Sequence, residues 1–154
     1  MEQKNMIDIC MAGHRLFIDA SGFIGLTSQK DRLHIQSNNF FRQIVEKRVV
    51  QITTNLIISE TYTYLRYHEN YITAIRFIEN IKRAEKTGFL IIIYSYPSLE
   101  EKAIEILRKY NDQDLSYTDS ISFAYLEIDQ ETKDVFTFDK HFYLTGCNIL
   151  PFEG

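Results

Sequence analysis

Apolar residues fall in short consecutive runs separated by longer stretches of helical period, and that alternation sets the expected architecture. Leu16-Phe17-Ile18 runs into Asp19-Ala20-Ser21-Gly22, a strand followed by a turn. Thr27 to Ser37 is polar and mixed, and reads as a loop or the tail of a helix. From Asn39 to Arg48 the pattern predicts a helix with Phe40, Phe41, Ile44 and Val45 on one side, and Val49 to Ile52 then predicts a strand. Asn55 is the expected N-cap of a helix over Leu56 to His68. Tyr71 to Lys86 is a second amphipathic helix, closed by Gly88. Phe89 to Tyr94 is apolar at consecutive positions, as expected of a strand covered on both faces. Pro97 suits the first turn of a helix over Ser98 to Tyr110. A helix capped by Ser116, a strand over Val135 to Phe138, a short helix over Lys140 to Leu144 and a strand over Cys147 to Leu150 complete the chain.

Strands alternating with helices predict an α/β fold, a mostly parallel sheet with helices on both faces. The 154 residues suffice for one domain, expected over residues 15–154. Residues 1–14 lack a period and read as a mobile extension, with Met11 a second possible start. No apolar run approaches the roughly 20 residues that span a bilayer. Cys10 and Cys147 are far apart, which fits a reduced, cytoplasmic protein. The net charge of −4 argues against sequence-independent coating of nucleic acid, and leaves open an enzyme that holds a phosphodiester through metal ions.

In parallel α/β sheets ligands bind beyond the carboxyl ends of the strands. Asp19 and Asp139 each follow a predicted strand, while Glu60 and Asp119 lie near the starts of helices that face the same edge. The helical neighbours of Glu60 are Leu56, Ile57, Thr63 and Tyr64; those of Asp119 are Leu115, Ser116, Ser122 and Phe123. No Lys or Arg stands among them, so a bound cation is the natural partner, and carboxylates favour Mg²⁺ or Mn²⁺. Each acid alone has a plainer reading. Asp119 completes a capping box with Ser116, Asp19 or Asp139 is an N-cap or turn residue, and Glu60 is a rim residue with a distant Arg. Convergence of the four on one rim favours the metal site.

The segments FIDAS (17–21), NLIISETYTYLR (55–66), LSYTDSISFAYLE (115–127) and TFDKHFYLTGCNILP (137–151) resemble the signature segments of the PIN-domain ribonucleases, above all the VapC-type toxins of toxin–antitoxin pairs. The resemblance implies a three-layer α/β/α, Rossmann-like domain. It implies an endoribonuclease using Mg²⁺ or Mn²⁺ held by Asp19, Glu60, Asp119 and Asp139, with Ser21 and Thr137 supporting the metal site. It further implies a small antitoxin partner and a homodimer. Tyr62, Tyr64, Tyr67, Tyr71 and Phe77 suggest that the dimer is built on the Leu56–Lys86 helical pair. The alternative is a catalytically silent PIN-like module that binds RNA or protein. Arg66, Lys140 and Arg42 are candidate phosphate contacts and His141 a candidate substrate contact, while Asp114 reads as a loop residue first and a group in the outer shell of the metal site second. His14, His34, His68 and His141 show no metal-ligand spacing.

Rival chemistries fail on single residues. A haloacid-dehalogenase-type phosphatase needs an acid where Ser21 stands, and a phosphoreceiver domain needs paired acids where strand Leu16–Ile18 supplies one. DASGFIG does not make the GxGxxG of a dinucleotide binder.

Overall fold

The structure, a computed structural model, describes residues 15–151. The expected N-terminal extension lies outside the described residues. The elements in chain order are β1 (Arg15–Ile18), α1 (Ala20–Thr27), α2 (His34–Glu46), β2 (Val50–Thr54), α3 (Asn55–His68), α4 (Tyr71–Lys86), β3 (Leu90–Ile93), α5 (Pro97–Lys109), α6 (Tyr117–Ile128), β4 (Asp134–Phe136), a 3₁₀ helix (Lys140–Thr145) and β5 (Asn148–Leu150).

The strands form a five-stranded sheet in the order β3-β2-β1-β4-β5, and every pairing is parallel. The chain steps outward from β1 to β3, then crosses back to lay β4 and β5 on the other side. The sheet order therefore reverses between β1 and β4, the kind of point where open α/β sheets bind ligands.

Central β1 is covered on both faces, with Leu16, Phe17 and Ile18 fully buried. Phe17 stacks on Tyr125 of α6 at 6.0 Å between ring centres. Phe136, in register with Ile18, turns to the opposite face and meets Phe40 of α2 at 5.0 Å. On that second face Phe23 of α1 meets Phe77 of α4 at 5.4 Å. Helices α5 and α6 pack against each other. The result is the expected three-layer α/β/α arrangement.

Several local expectations are corrected. The turn expected after Asp19 is the helix α1, whose two glycines serve packing. A Cβ at Gly22 would stand 2.8 Å from the Phe136 carbonyl oxygen, and one at Gly25 would collide with the Ser37 hydroxyl. Tertiary contact thus overrides the poor helix propensity of glycine. Helix α2 starts at His34, within the stretch expected as a loop or the tail of a helix, because Ser37 and Phe40 bury a face that polar neighbours conceal. The N-cap of α3 is Thr54, whose Oγ1 accepts from the Ile57 amide at 3.2 Å. Asn55 instead accepts from the Ser95 amide at 3.0 Å and ties the start of α3 to the segment after β3. Strand β3 is an edge strand rather than a doubly covered one: Phe89, Ile91 and Tyr94 are exposed. Phe77, expected at a dimer interface, is in the core, and Tyr62 packs against it.

Candidate metal centre

The carboxyl ends of β1 and β4 are stitched together by hydroxyls around one buried acid. Asp19 caps α1 immediately after β1, and its amide donates to the Phe136 carbonyl at 3.1 Å. Its Oδ2 accepts from Thr137 Oγ1 at 2.9 Å and from Ser21 Oγ at 3.1 Å. The same hydroxyls accept from the amides that follow β4: Phe138 to Ser21 Oγ at 2.9 Å, Asp139 to Thr137 Oγ1 at 3.0 Å. Ser21 and Thr137 therefore fix both the orientation of Asp19 and the path of the chain into Asp139. Asp19 is 5% exposed, and burial is the main reason its pKa is pushed up to about 7. The charge of Asp119 adds to the rise; bonds from Thr137, the Ala20 amide and Ser21 oppose it.

Asp119 is half-buried on the first turn of α6, within a complete capping box. Its amide donates to Ser116 Oγ at 3.0 Å, and its Oδ2 accepts from the Ser116 amide at 3.1 Å. The plainer reading of this residue is thus correct without excluding the other, since a carboxylate has lone pairs to spare. Burial raises its pKa, the Ser116 amide opposes the rise, and the charge of Asp139 adds to it. Asp139 caps the 3₁₀ helix; its Oδ1 accepts from the His141 amide at 2.9 Å and lies 2.9 Å from His141 Nδ1. Glu60, on the second turn of α3, is exposed as a residue while its carboxyl leans over the rim. Partial burial raises its pKa first, a hydrogen bond with Thr118 opposes this, and the charges of Asp119 and Asp139 add to it.

One atom each from Asp119, Asp139 and His141 lie within 4.8 Å of one another. Asp19 and Glu60 stand outside this tight group and are joined to it electrostatically, Asp19 through Asp119 and Glu60 through both Asp119 and Asp139. His141 is the residue sequence reasoning undervalued, having been read only as a substrate contact. The signal was its place two residues after a capping Asp, where a tight turn folds the ring back onto the carboxylate. Arg66 is not brought to the rim. It lies six residues beyond Glu60, about 9 Å along the helix, and its guanidinium sits 5.9 Å over the Tyr71 ring. Lys140 is exposed beside Asp139.

The donor set suits a hard divalent cation. Among the described residues no Lys or Arg forms a salt bridge with Asp19, Glu60, Asp119 or Asp139. Raised carboxyl pKa values on three of the four mark charge that the protein itself does not neutralise. Oxygen donors with one imidazole at the margin match Mg²⁺ or Mn²⁺.

No protein-family model matches the sequence, and neither does any curated protein. Among solved structures the chain is similar to the crystal structure of Mycobacterium tuberculosis VapC20, described as a sarcin-ricin loop cleaving toxin. The two are 22% identical with a TM-score of 0.73, over 86% of this chain and 95% of that one. The expected PIN-type α/β/α fold is therefore present, and no helix among the described residues is long and apolar enough to cross a membrane.

Proposed function

We propose that this chain is a metal-dependent endoribonuclease, with Asp19, Glu60, Asp119 and Asp139 holding Mg²⁺ or Mn²⁺ at the switch point of the sheet. The observation that carries the reading is the convergence of four acids, three with raised pKa, at a rim where, among the described residues, no Lys or Arg forms a salt bridge with them. These carboxylates would hold a divalent ion, which when bound would offset phosphate charge and polarise water and phosphoryl oxygen there. Asp19 is the ligand most dependent on the cation, because a buried carboxylate is costly to ionise alone. Ser21 and Thr137 keep its Oδ2 in place. The two His141 contacts engage Oδ1 of Asp139 and orient its carboxylate. Asp119 presents its remaining lone pairs from a capped, rigid helix start. Glu60, on the open side with a raised pKa, is placed to take a proton from water and release it to solvent.

Likeness to a toxin that cleaves the sarcin-ricin loop supports RNA as the substrate class and a cytoplasmic toxin restrained by a small antitoxin. A homodimer using α3 and α4 remains part of the proposal on revised residues. Tyr64, Tyr67, Tyr71 and Ile72 are exposed there, whereas Phe77 is not. The test is cleavage of end-labelled RNA. Cleavage should need Mg²⁺ or Mn²⁺, stop in excess chelator, and be lost in Asp119→Asn. Tight Mn²⁺ binding with no cleavage of any RNA would favour the catalytically silent module instead.

A further inference from the structure

The carboxyl edge of the sheet does not stop at Asp139. It continues over β4 and β5 into a cavity of about 290 Å³ that shares Asp139 and Thr137 with the acidic rim. Phe138, Ile149 and Pro151 give it apolar walls, and Tyr143 of the 3₁₀ helix flanks it. Tyr143 is 69% exposed, an aromatic ring left on the surface four residues after the candidate metal ligand Asp139. Lys140 is the one basic residue lining the cavity, and no salt bridge engages it among the described residues.

Resting on the nuclease reading above, we infer that this cavity is a subsite for one unpaired nucleobase next to the scissile phosphate, stacked on Tyr143, with Lys140 at the adjoining phosphate. Three features select this occupant. The cavity lies near the lower end of small-molecule pockets, which start at about 300 Å³, so it suits a ligand of about the size of one nucleotide. Apolar walls beside an exposed tyrosine suit the face of a base, which stacks on aromatic rings whatever its sequence identity. A single ammonium beside a cluster of carboxylates suits a ligand that is apolar at one end and anionic at the other. A nucleotide meets that description, while an apolar peptide would leave the Lys140 ammonium without an anionic partner. Because Asp139 belongs to both rim and cavity, a base seated here would set which phosphate lies over the acids. The subsite would therefore contribute to the choice of cleavage position.

The test uses the full chain and small probes: the four nucleoside 5′-monophosphates and ribose 5-phosphate, titrated in Ca²⁺ and followed by NMR. At least one nucleotide should bind about tenfold tighter than ribose 5-phosphate. Tyr143→Ala should lower nucleotide affinity by about 5-fold or more, the effect of losing one stacking ring, and leave ribose 5-phosphate unchanged. Tyr143→Phe should restore the difference. Lys140→Gln should weaken nucleotide and ribose 5-phosphate alike. Since Tyr143 is exposed, the two Tyr143 variants should keep the parent melting temperature and the parent Mn²⁺ affinity. Equal binding of nucleotides and ribose 5-phosphate, or indifference to Tyr143→Ala, overturns the subsite. If Mn²⁺-dependent RNA cleavage persists in that case, the nuclease reading stands without it. Base-dependent binding with no cleavage would retire the nuclease reading and keep the nucleotide site.

Discussion

Replacing Asp19 by Asn should make the cation-free protein more stable, and the gain should depend on pH in a defined way. Asp19 is buried, and its pKa rises from 3.8 to about 7 in the folded chain. The folded state therefore holds this proton more tightly than the unfolded state does. The contribution of Asp19 to stability is fully present below pH 4, is lost as pH rises from about 4 to about 7, and levels above that. At about 1.4 kcal/mol per tenfold change, the shift corresponds to a ceiling of about 4 kcal/mol lost by pH 8. An Asn at this position keeps an oxygen for the Ser21 and Thr137 hydroxyls and carries no charge. Its NH₂ needs an acceptor, which offsets about 1–2 kcal/mol of the gain. The net expectation is about 2–3 kcal/mol in favour of Asp19→Asn at pH 8 in chelator, shrinking toward zero or reversing near pH 4. Urea unfolding at about pH 4, 6 and 8 in chelator measures it. A variant less stable than the parent at pH 8, or a gap that does not widen with pH, would refute the picture of a strained, cation-dependent carboxylate.

Asp129 offers the opposite sign. Its Oδ2 accepts from Arg15 at 2.8 Å, Tyr125 at 2.7 Å and Thr132 at 2.6 Å. These bonds outweigh burial and hold its pKa down at about 2. This contribution is complete above pH 4 and lost as pH falls toward 2, so Asp129→Asn should cost about 2 kcal/mol at pH 7 and progressively less in acid, read by denaturant melts. Gly22→Ala should destabilise by about 1–3 kcal/mol despite its better helix propensity, because the new methyl meets the Phe136 carbonyl; thermal unfolding decides. Replacing Tyr67, which is 81% exposed, by Glu should leave the melting temperature of a monomer unchanged. If α3 and α4 form a homodimer, the same change should shift the species seen by light scattering from dimer to monomer; a parent already monomeric at micromolar concentration would remove the dimer from the proposal.

How far the chain can be read before folding depends on which physical cue each element uses. Helices α4 and α6 announce themselves through period and caps, and Asp19 and Asp139 through apolar runs that end in an acid. Helix α1 is hidden because Gly22 and Gly25 are chosen for close approach to Phe136 and Ser37, a cue that exists only in three dimensions. Consecutive apolar residues cannot distinguish an edge strand from a central one, and β3 proved to be the edge, with Ile91 40% exposed. Phe77 was legible in principle. It falls on the stripe Ala74, Phe77, Ile81 that helical spacing turns inward. Thr54 and Asn55 are both competent caps, and only the Ser95 amide decides which does what. The candidate site was legible as a set of four acids; the contact of His141 with Asp139 and the cavity beside them were not, since both depend on how the 3₁₀ helix folds back.

The central claim is that Asp19, Glu60, Asp119 and Asp139 share a divalent cation. Anomalous diffraction from crystals grown with Mn²⁺ addresses it without any assumption about substrate. The account predicts a manganese peak at the switch point among the carboxylates of Asp19, Glu60, Asp119 and Asp139, and its disappearance in Asp119→Asn crystals grown the same way. A peak lying away from these carboxylates, or none at saturating Mn²⁺, would contradict it.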